Sequence, residues 1–326
     1  MLSLSSNTKM MSTFSASLPL NPDGSFTPFA YPYDRASAVK RIESLNIPWH
    51  PDKGQDFDDI FKYIGFLWCI SGRSVSLPDP KRLKFLNRVR EFLSSFSTHP
   101  CRIDDVMRIH GSLCHITYVY PHGCNRLASL SNFIGHFNDN RFCRLHPPSS
   151  VISNLRWWNS TLSVEGISRS LISLGPPIDL NIFVDASTSW GIGLLFDRRW
   201  DAWSLLPGWK GPSRDISWLE GVALEFAIYT LEKLGLSNSH LTIYSDNKGV
   251  IGAFDKGRCR NFEINLSIRR SSVVLASNNL LLNLVHVESE ANLADPISRG
   301  ILGSSESRLR TQFDVPGDIK NFLLHV

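Results

Sequence analysis

The chain has 326 residues, of which 42% are hydrophobic and 20% charged, as in a globular protein long enough for two domains. Its formal net charge of +4 permits contact with nucleic acid but does not require it. No apolar run reaches the length of a membrane-spanning helix, so no membrane partner is expected. Six cysteines without close spacing indicate reduced thiols of an intracellular protein, in the nucleus or the cytoplasm.

The first half of the chain predicts a β-hairpin followed by helices. Residues 1–30 are rich in Ser, Asn, Pro and Gly and are predicted to be poorly ordered, whereas residues 34–45 have helical spacing. The run 61–68 predicts one strand that pairs with residues 73–77 across Ser71-Gly72. Further helices are predicted at 81–96 (with Leu83, Leu86, Val89 and Phe92 inward), 103–119, 127–137 and 151–162.

After a Gly/Pro-rich break before residue 178, the pattern changes to strands alternating with helices. The predicted strands are 181–185, 191–196, 200–205, 240–245 and 281–287, and the predicted helices are 216–234, 247–254, 261–276 and 295–299. This order favours a mixed α/β domain. Residues 303–326 are predicted to be a polar tail with a weak helical patch at 319–324.

Four acidic residues occupy corresponding places in these elements. Asp185 and Asp246 end strands, Glu220 lies on a helix and Asp295 opens a late helix. Carboxylates gathered at one end of a sheet repel each other unless cations lie between them, and hard oxygen ligands favour Mg²⁺ or Mn²⁺. Two such ions can activate water and stabilise the leaving oxygen in phosphodiester cleavage. The four acids are therefore candidate metal ligands and catalytic residues.

Helix phase distinguishes Glu220 from its neighbour Glu225. At 100° per residue, Glu220 shares a face with Ala223, Ala227 and other apolar residues, and this face is expected to pack on the sheet. Glu225 lies about 140° around the helix and is expected to be a solvated surface acid. The residue Asp295 precedes Pro296, which suits the N-cap of a helix with proline at its first position.

Basic residues after Asp246 are candidates for contacts with phosphates, and ordinary solvated charge is an alternative for each: Lys248, Lys256, Arg258, Arg260, Arg269 and Arg270. Asn247 either donates a hydrogen bond to substrate or caps a helix. The tryptophans at 190, 200, 203, 209 and 218 are expected in the core. The Cys/His residues between 110 and 146 match no standard zinc spacing, so zinc is disfavoured.

Four short motifs surround these acids: Val-Asp185-Ala-Ser, Trp-Leu-Glu220-Gly-Val-Ala, Tyr-Ser-Asp246-Asn and Asn292-Leu-Ala-Asp295-Pro-Ile-Ser-Arg. Their order resembles the ribonuclease H domain of retroelement reverse transcriptases, and the last motif is typical of mobile-element versions. The resemblance implies a ribonuclease H-like mixed five-stranded sheet flanked by helices. It also implies two Mg²⁺ or Mn²⁺ ions and cleavage of the RNA strand of RNA–DNA hybrids, which leaves a 3′-hydroxyl and a 5′-phosphate.

The upstream half is also similar to these polymerases. Tyr63-Ile-Gly-Phe66 resembles the primer-grip hairpin, residues 81–137 resemble the thumb and connection, and Leu155-Arg-Trp-Trp158 resembles the tether to the ribonuclease H domain. The resemblance implies a poorly ordered start and palm remnant at 1–50, the hairpin with the helical thumb and connection at 51–165, a linker at 166–178, the ribonuclease H-like domain at 179–302 and a tail at 303–326.

One motif of the polymerases, the Tyr-x-Asp-Asp turn of the palm, does not occur in the sequence. We therefore expect a C-terminal piece of a polyprotein, with no reverse transcriptase activity by itself and with a palm supplied by another chain as a potential partner. Two alternatives stay open at this point. One is a catalytically silent nucleic-acid-binding remnant of a decayed element, and the other is a different nuclease or transposase on the same fold.

Overall fold

The computed structural model describes residues 34–45, 58–138 and 140–326. The described residues form two compact units, one of those up to residue 79 together with 166–172 and the other of those in 80–165 and 173–326. The predictions for residues 1–30 and for most of a palm remnant at 1–50 lie outside the described residues. Within the described part of the chain, no helix combines the length and apolar character needed to cross a bilayer.

The helices, in chain order, are α1 (Arg35–Ile42), α2 (Asp79–Phe96), α3 (Ile103–Ile116), α4 (Ala128–Gly135), α5 (Ser149–Ser163), α6 (Ile216–Lys233), α7 (Lys248–Asp255), α8 (Phe262–Ser277), α9 (Asp295–Ser298) and α10 (Gly317–Lys320). The strands are β1 (Ile60–Tyr63), β2 (Phe66–Cys69), β3 (Ser74–Ser76), β4 (Cys101–Arg102), β5 (Arg144–Leu145), β6 (Ser168–Ser170), β7 (Ile178–Ala186), β8 (Gly191–Phe196), β9 (Arg199–Leu205), β10 (Ser239–Ser245), β11 (Leu280–His286) and β12 (Leu323–His325).

The smaller unit contains a four-stranded sheet in the order β1-β2-β3-β6. The prediction of one strand over 61–68 is wrong, because the chain reverses between β1 and β2 at Ile64 and Gly65, whose φ angles are 44° and 83°. A two-residue turn of this kind needs positive φ at both central residues. Glycine adopts positive φ readily, as at Gly65. Isoleucine rarely does, so Ile64 does not indicate a turn in the sequence. Strand β6 lies in the stretch predicted as a linker and pairs with β3.

The helical part of the larger unit begins with α2, whose buried residues are Arg82, Phe85, Leu86, Val89 and Phe92. This spacing is a regular helical stripe. The prediction that Leu83 points inward is wrong, since its side chain is 44% exposed and lies beside that stripe. Arg82 takes an inward place instead, and its Nη1 donates to the carbonyl oxygen of Leu162 at 2.6 Å. A charged residue can occupy such a position because its donor is satisfied by α5.

The rest of the larger unit contains a six-stranded sheet in the order β11-β10-β7-β8-β9-β12. Strand β10 runs parallel to β7 and β11, and the other pairs are antiparallel. The mixed α/β class is confirmed, and the predicted strand 191–196 has the observed bounds. The prediction of five strands is wrong, because the stretch predicted as a polar tail supplies β12, which pairs with β9.

Helix α6 packs on one face of the sheet, and most of its residues from Trp218 to Leu231 are buried because α8 covers the side facing away from the strands. Trp203 and Trp218 lie in this core, as expected. On the other face a smaller cluster joins Trp200 and Ala202 of β9 to Ile297 of α9. The predicted tail also contributes Ile319 and Leu323 to the main core. Both faces of the sheet are thus covered near the ends of β7 and β8.

Candidate metal centre

Three carboxylates meet at one edge of the sheet. Strands β7 and β10 are parallel neighbours, so their carboxyl ends lie at the same edge. Asp185 is the penultimate residue of β7, Asp246 directly follows β10, and Glu220 projects from α6. One carboxylate oxygen from each of the three lies within 4.8 Å of the others. Among the described residues this triad is the one such group of three or more, and it could hold a metal ion.

Burial dominates the electrostatics of this triad. Asp185 and Glu220 are each 3% exposed, whereas Asp246 is partly exposed. Burial raises the pKa of Asp185 to about 6, a hydrogen bond from Ser298 opposes this, and the nearby negative charge of Asp246 adds to it. Burial, followed by the charges of Asp185 and Asp246, raises the pKa of Glu220 well above its ordinary value. A cation among these groups would favour their ionised forms.

The hydrogen bonding of the Glu220 carboxylate indicates whether the residues fit a metal ion. Glu220 Oε1 accepts a hydrogen bond from the backbone N–H of Ala186 at 3.3 Å. The other oxygen, Oε2, is buried and has no hydrogen-bond partner in the described part of the chain. An ionised oxygen in such a place is costly unless a cation or a donor reaches it. Since all three ligand groups are carboxylates, the donor set fits a hard divalent cation such as Mg²⁺ or Mn²⁺.

Two residues of the late segment fix the orientation of Asp185. Asn292 Nδ2 donates to Asp185 Oδ1 at 3.0 Å and to the backbone oxygen of Val184 at 3.0 Å. Ser298 Oγ donates to Asp185 Oδ2 at 2.5 Å. Both residues belong to the sequence motif around Asp295, but no role was predicted for either. The sequence feature that could have indicated this role is the spacing: Asn292 and Ser298 lie three residues before and three residues after Asp295. Two polar side chains in these places allow the segment to bind a carboxylate on a neighbouring strand.

The absence of a side chain at Gly193 allows the segment around α9 to pack closely against β8. Gly193 pairs with Asp185 across β7 and β8, and α9 packs against β8 at this point. A Cβ atom on Gly193 would lie 2.6 Å from the backbone nitrogen of Ser298 and 2.8 Å from the carbonyl oxygen of Ala294. A larger residue would therefore push α9 away from the sheet. Gly193 was not predicted to be part of the site.

Asp295 lies close enough to raise the pKa of Asp185 but is not one of the three clustered carboxylates. Its carboxylate binds the guanidinium of Arg299 through three contacts: Nη2 donates to Oδ1 at 2.7 Å, and Nε lies 2.9 Å from Oδ2 and 3.0 Å from Oδ1. The predicted N-cap role is wrong, because α9 begins at Asp295 and its N-cap is Ala294. As a metal ligand Asp295 stays a prediction.

The prediction that Glu225 is a solvated acid is wrong, because its side chain is fully buried. Arg270 of α8 binds it through Nε at 2.5 Å and Nη2 at 2.9 Å, and the Tyr229 hydroxyl donates to it at 2.6 Å. Arg270 also contacts Asp318 at 2.8 Å. Helix phase identifies the face of α6 that packs on the sheet but does not reveal that α8 covers the other side. Arg270 is consequently an internal ion-pair partner and not the free phosphate-binding side chain that was predicted.

The remaining predicted basic residues divide in two groups. Lys248, Lys256, Arg258 and Arg260 are exposed, and their contact with nucleic acid stays a prediction. Arg269 does not lie on an open edge, since it contacts the backbone oxygen of Asn125 from within a cavity between helices. Asn247 caps α7, because its Oδ1 accepts from the backbone N–H of Val250 at 3.1 Å.

Comparison with family models gives no match, and comparison with curated proteins gives none either. Three features therefore bear on function: the geometry of the three carboxylates, the residues that hold them and the motifs around them.

Proposed function

We propose that the chain is a metal-dependent endonuclease that cleaves the RNA strand of RNA–DNA hybrids, as a ribonuclease H fragment of a retrotransposon reverse transcriptase. The observation that carries the proposal is Glu220, a buried acid whose Oε2 has no partner among the described residues and which has a carboxylate oxygen within 4.8 Å of an oxygen of Asp185 and of Asp246. Such an arrangement is costly without a cation. The motifs around the acids support the choice of substrate.

Each residue has a distinct part in this proposal. Two Mg²⁺ or Mn²⁺ ions, when bound, lower the pKa of a water and stabilise the leaving oxygen. Asp185 is the fixed ligand, because Asn292 and Ser298 hold both of its oxygens. Asp246 is partly exposed, and Ser289 Oγ donates to its Oδ2 at 2.6 Å. Asp295 is the fourth ligand, at which the cation competes with Arg299.

Substrate binding is assigned to exposed basic side chains beyond Asp246. Lys248, Lys256, Arg258 and Arg260 would contact phosphates in a salt-dependent manner. Contacts to the 2′-hydroxyl would distinguish RNA from DNA. No reverse transcriptase activity is proposed for this chain alone, and any palm would come from another chain.

The test is cleavage of an end-labelled RNA–DNA hybrid with Mg²⁺ by the wild type, Asp185→Asn and Asp197→Asn. Asp197 is an exposed acid with φ of 43°, a conformation that asparagine adopts readily, so it is a matched control. We expect Asp185→Asn to lose about 10³-fold in rate and Asp197→Asn to keep full activity. Equal rates in the two variants would refute the nuclease. Hybrid binding without cleavage by the wild type would favour the silent remnant instead.

A further inference from the structure

A second site with unbalanced charge lies in the larger unit, between its helical part and the sheet domain. A cavity of about 600 Å³ is bounded by α4, the start of α5 and the first half of α8. This volume is within the range of small-molecule sites, about 300–1,000 Å³. Two arginines line it, Arg260 and Arg269, together with His136. None of the lining residues is an aspartate or a glutamate, so the cavity has excess positive charge.

The arginine at the inner wall has weak partners. Arg269 Nη2 reaches the backbone oxygen of Asn125 at 3.5 Å and Asn154 Oδ1 at 3.4 Å. Arg126 Nη1 reaches the same Asn154 oxygen at 3.4 Å. Two guanidinium groups thus share one neutral acceptor, at distances well beyond the roughly 2.7–2.9 Å of a charge-assisted hydrogen bond. Neither arginine forms an ion pair with a carboxylate in the part of the chain that the structure describes.

The same arginine is half-buried and retains an unused donor. Arg269 Nε is buried and has no hydrogen-bond partner within the described residues. Burial, with the charges of Arg126 and Arg270, lowers the pKa of Arg269 to about 10, so it is still charged at neutral pH. Buried charge without a counter-charge is unfavourable. An anion in the cavity would offset this cost.

A hydroxyl donor completes the inner wall. Ser129 lines the cavity, and its Oγ accepts from Asn154 Nδ2 at 2.8 Å. Because this oxygen is the acceptor, the hydroxyl hydrogen of Ser129 can donate to a ligand. Arg260 is exposed and stands at the solvent side of the same cavity. Cationic and hydroxyl donors without competing acids are the groups that bind phosphate oxygens.

We propose that this cavity binds a phosphate group, with Arg269 and Ser129 at its inner wall and Arg260 at its opening. The phosphate belongs either to a small free phosphate compound or to the end of a nucleic-acid strand. The site shares no residue with the carboxylate triad, and only Arg260 is also assigned to hybrid binding in the proposed function.

The first measurement is isothermal titration calorimetry of the full chain with inorganic phosphate in EDTA, at low ionic strength. We compare the wild type with Arg269→Gln, Arg260→Gln and the control Arg310→Gln. Arg310 is exposed and does not line the cavity. Saturable binding by the wild type is expected. Arg269→Gln should raise Kd about tenfold or more and Arg260→Gln about three- to fivefold, and Arg310→Gln should leave it unchanged.

Circular dichroism checks the fold of each variant, and the exposed Arg260 keeps the test valid if Arg269→Gln fails to fold. A second pair of titrations uses one single-stranded oligonucleotide with a 5′-phosphate or a 5′-hydroxyl. Tighter binding of the phosphorylated strand, lost in Arg260→Gln, indicates a strand end. Phosphate binding with equal affinity for both strands indicates a free phosphate compound.

Two results would overturn the proposal: no saturable phosphate binding by the wild type, or the same Kd in Arg260→Gln and Arg310→Gln. Asp185→Asn should bind phosphate like the wild type in EDTA. Loss of nuclease activity and loss of the phosphate site are therefore separate outcomes.

Discussion

Helix α6 has two buried glutamates in opposite electrostatic environments. Glu220 faces the end of the sheet, where its nearest charged groups are the acids Asp185 and Asp246. Glu225, five residues later, faces α8. Its Oε1 accepts hydrogen bonds from Arg270 Nε and the Tyr229 hydroxyl, and its Oε2 accepts one from Arg270 Nη2. Their exposed fractions are similar, 3% and 0%. Burial alone therefore does not distinguish an acid that stabilises the fold from one that belongs to a site.

The difference is in the partners. A buried carboxylate with a two-point guanidinium contact is compensated within the chain, and removal of either partner leaves a buried charge. A buried carboxylate beside other carboxylates stays uncompensated until a ligand arrives, and perturbed acids of this kind cluster at functional sites. The comparison leads to matched substitutions in which one glutamate serves as the control for the other.

The largest expected effect is on activity. Glu220→Gln should reduce hybrid cleavage about 10³-fold while leaving stability in EDTA unchanged or higher, because it removes repulsion among three acids. Glu225→Gln should keep cleavage within about threefold and lower the free energy of unfolding by about 2 kcal/mol, because Arg270 loses its buried partner. Cleavage assays and urea unfolding measure both quantities. Similar activity losses in the two variants would contradict the distinction.

The next effect concerns stability alone. Arg270→Met should lower the free energy of unfolding by about 3 kcal/mol, because Glu225 remains buried without a counter-charge. Adding Glu225→Met should recover about 1 kcal/mol or more, since a buried ion pair can be replaced by apolar side chains at little cost. A double-mutant cycle from urea unfolding gives this coupling. Additive losses would mean that the pair is not a coupled buried ion pair.

The smallest effect, taken per pH unit, is the pH dependence of stability without divalent ions. The pKa of Asp185 is raised from 3.8 to about 6 on folding, so between these values the folded state binds more protons than the unfolded state. Stability should therefore fall as pH rises, by at most about 1.4 kcal/mol per pH unit for each such group. Glu220, whose pKa is raised in the same direction by burial and by the nearby charges of Asp185 and Asp246, adds to this fall.

Mg²⁺ should reduce this slope, because metal binding keeps the carboxylates ionised. Thermal unfolding in EDTA and in Mg²⁺ across the same pH range makes the comparison. Asp185→Asn should flatten the EDTA profile in the acidic range. A wild-type profile that rises with pH over this interval would contradict the assignment.

The sequence was sufficient for most of the sheet domain because its elements have strong local patterns. The strand Gly191–Phe196 and the start of α6 at Ile216 were predicted at the observed residues. Helix phase placed Glu220 on the packed face correctly. These successes depend on periodicity within one element, which a single sequence displays directly.

The failures concern contacts between distant parts of the chain. Glu225 was placed in solvent because helix phase reports one packed face and cannot show that α8 covers another. Strand β12 has three residues, too few for a periodic signal, and it forms because β9 offers a free edge. The roles of Asn292 and Ser298 depend on where Asp185 lies, which only the folded chain determines.

Strand β12 has a practical consequence for work on the sheet domain alone. A fragment that ended at residue 302, the predicted domain boundary, would lack the pairing of β12 with β9 and the apolar contacts of Ile319 and Leu323. It would also lose two side chains beside the fully buried Asp201, whose Oδ1 lies 2.7 Å from His325 Nε2 and 3.8 Å from Arg308 Nε. Uncovered strand edges recruit further strands. Such a fragment should self-associate and precipitate, and inactivity measured on it would say nothing about the carboxylate triad.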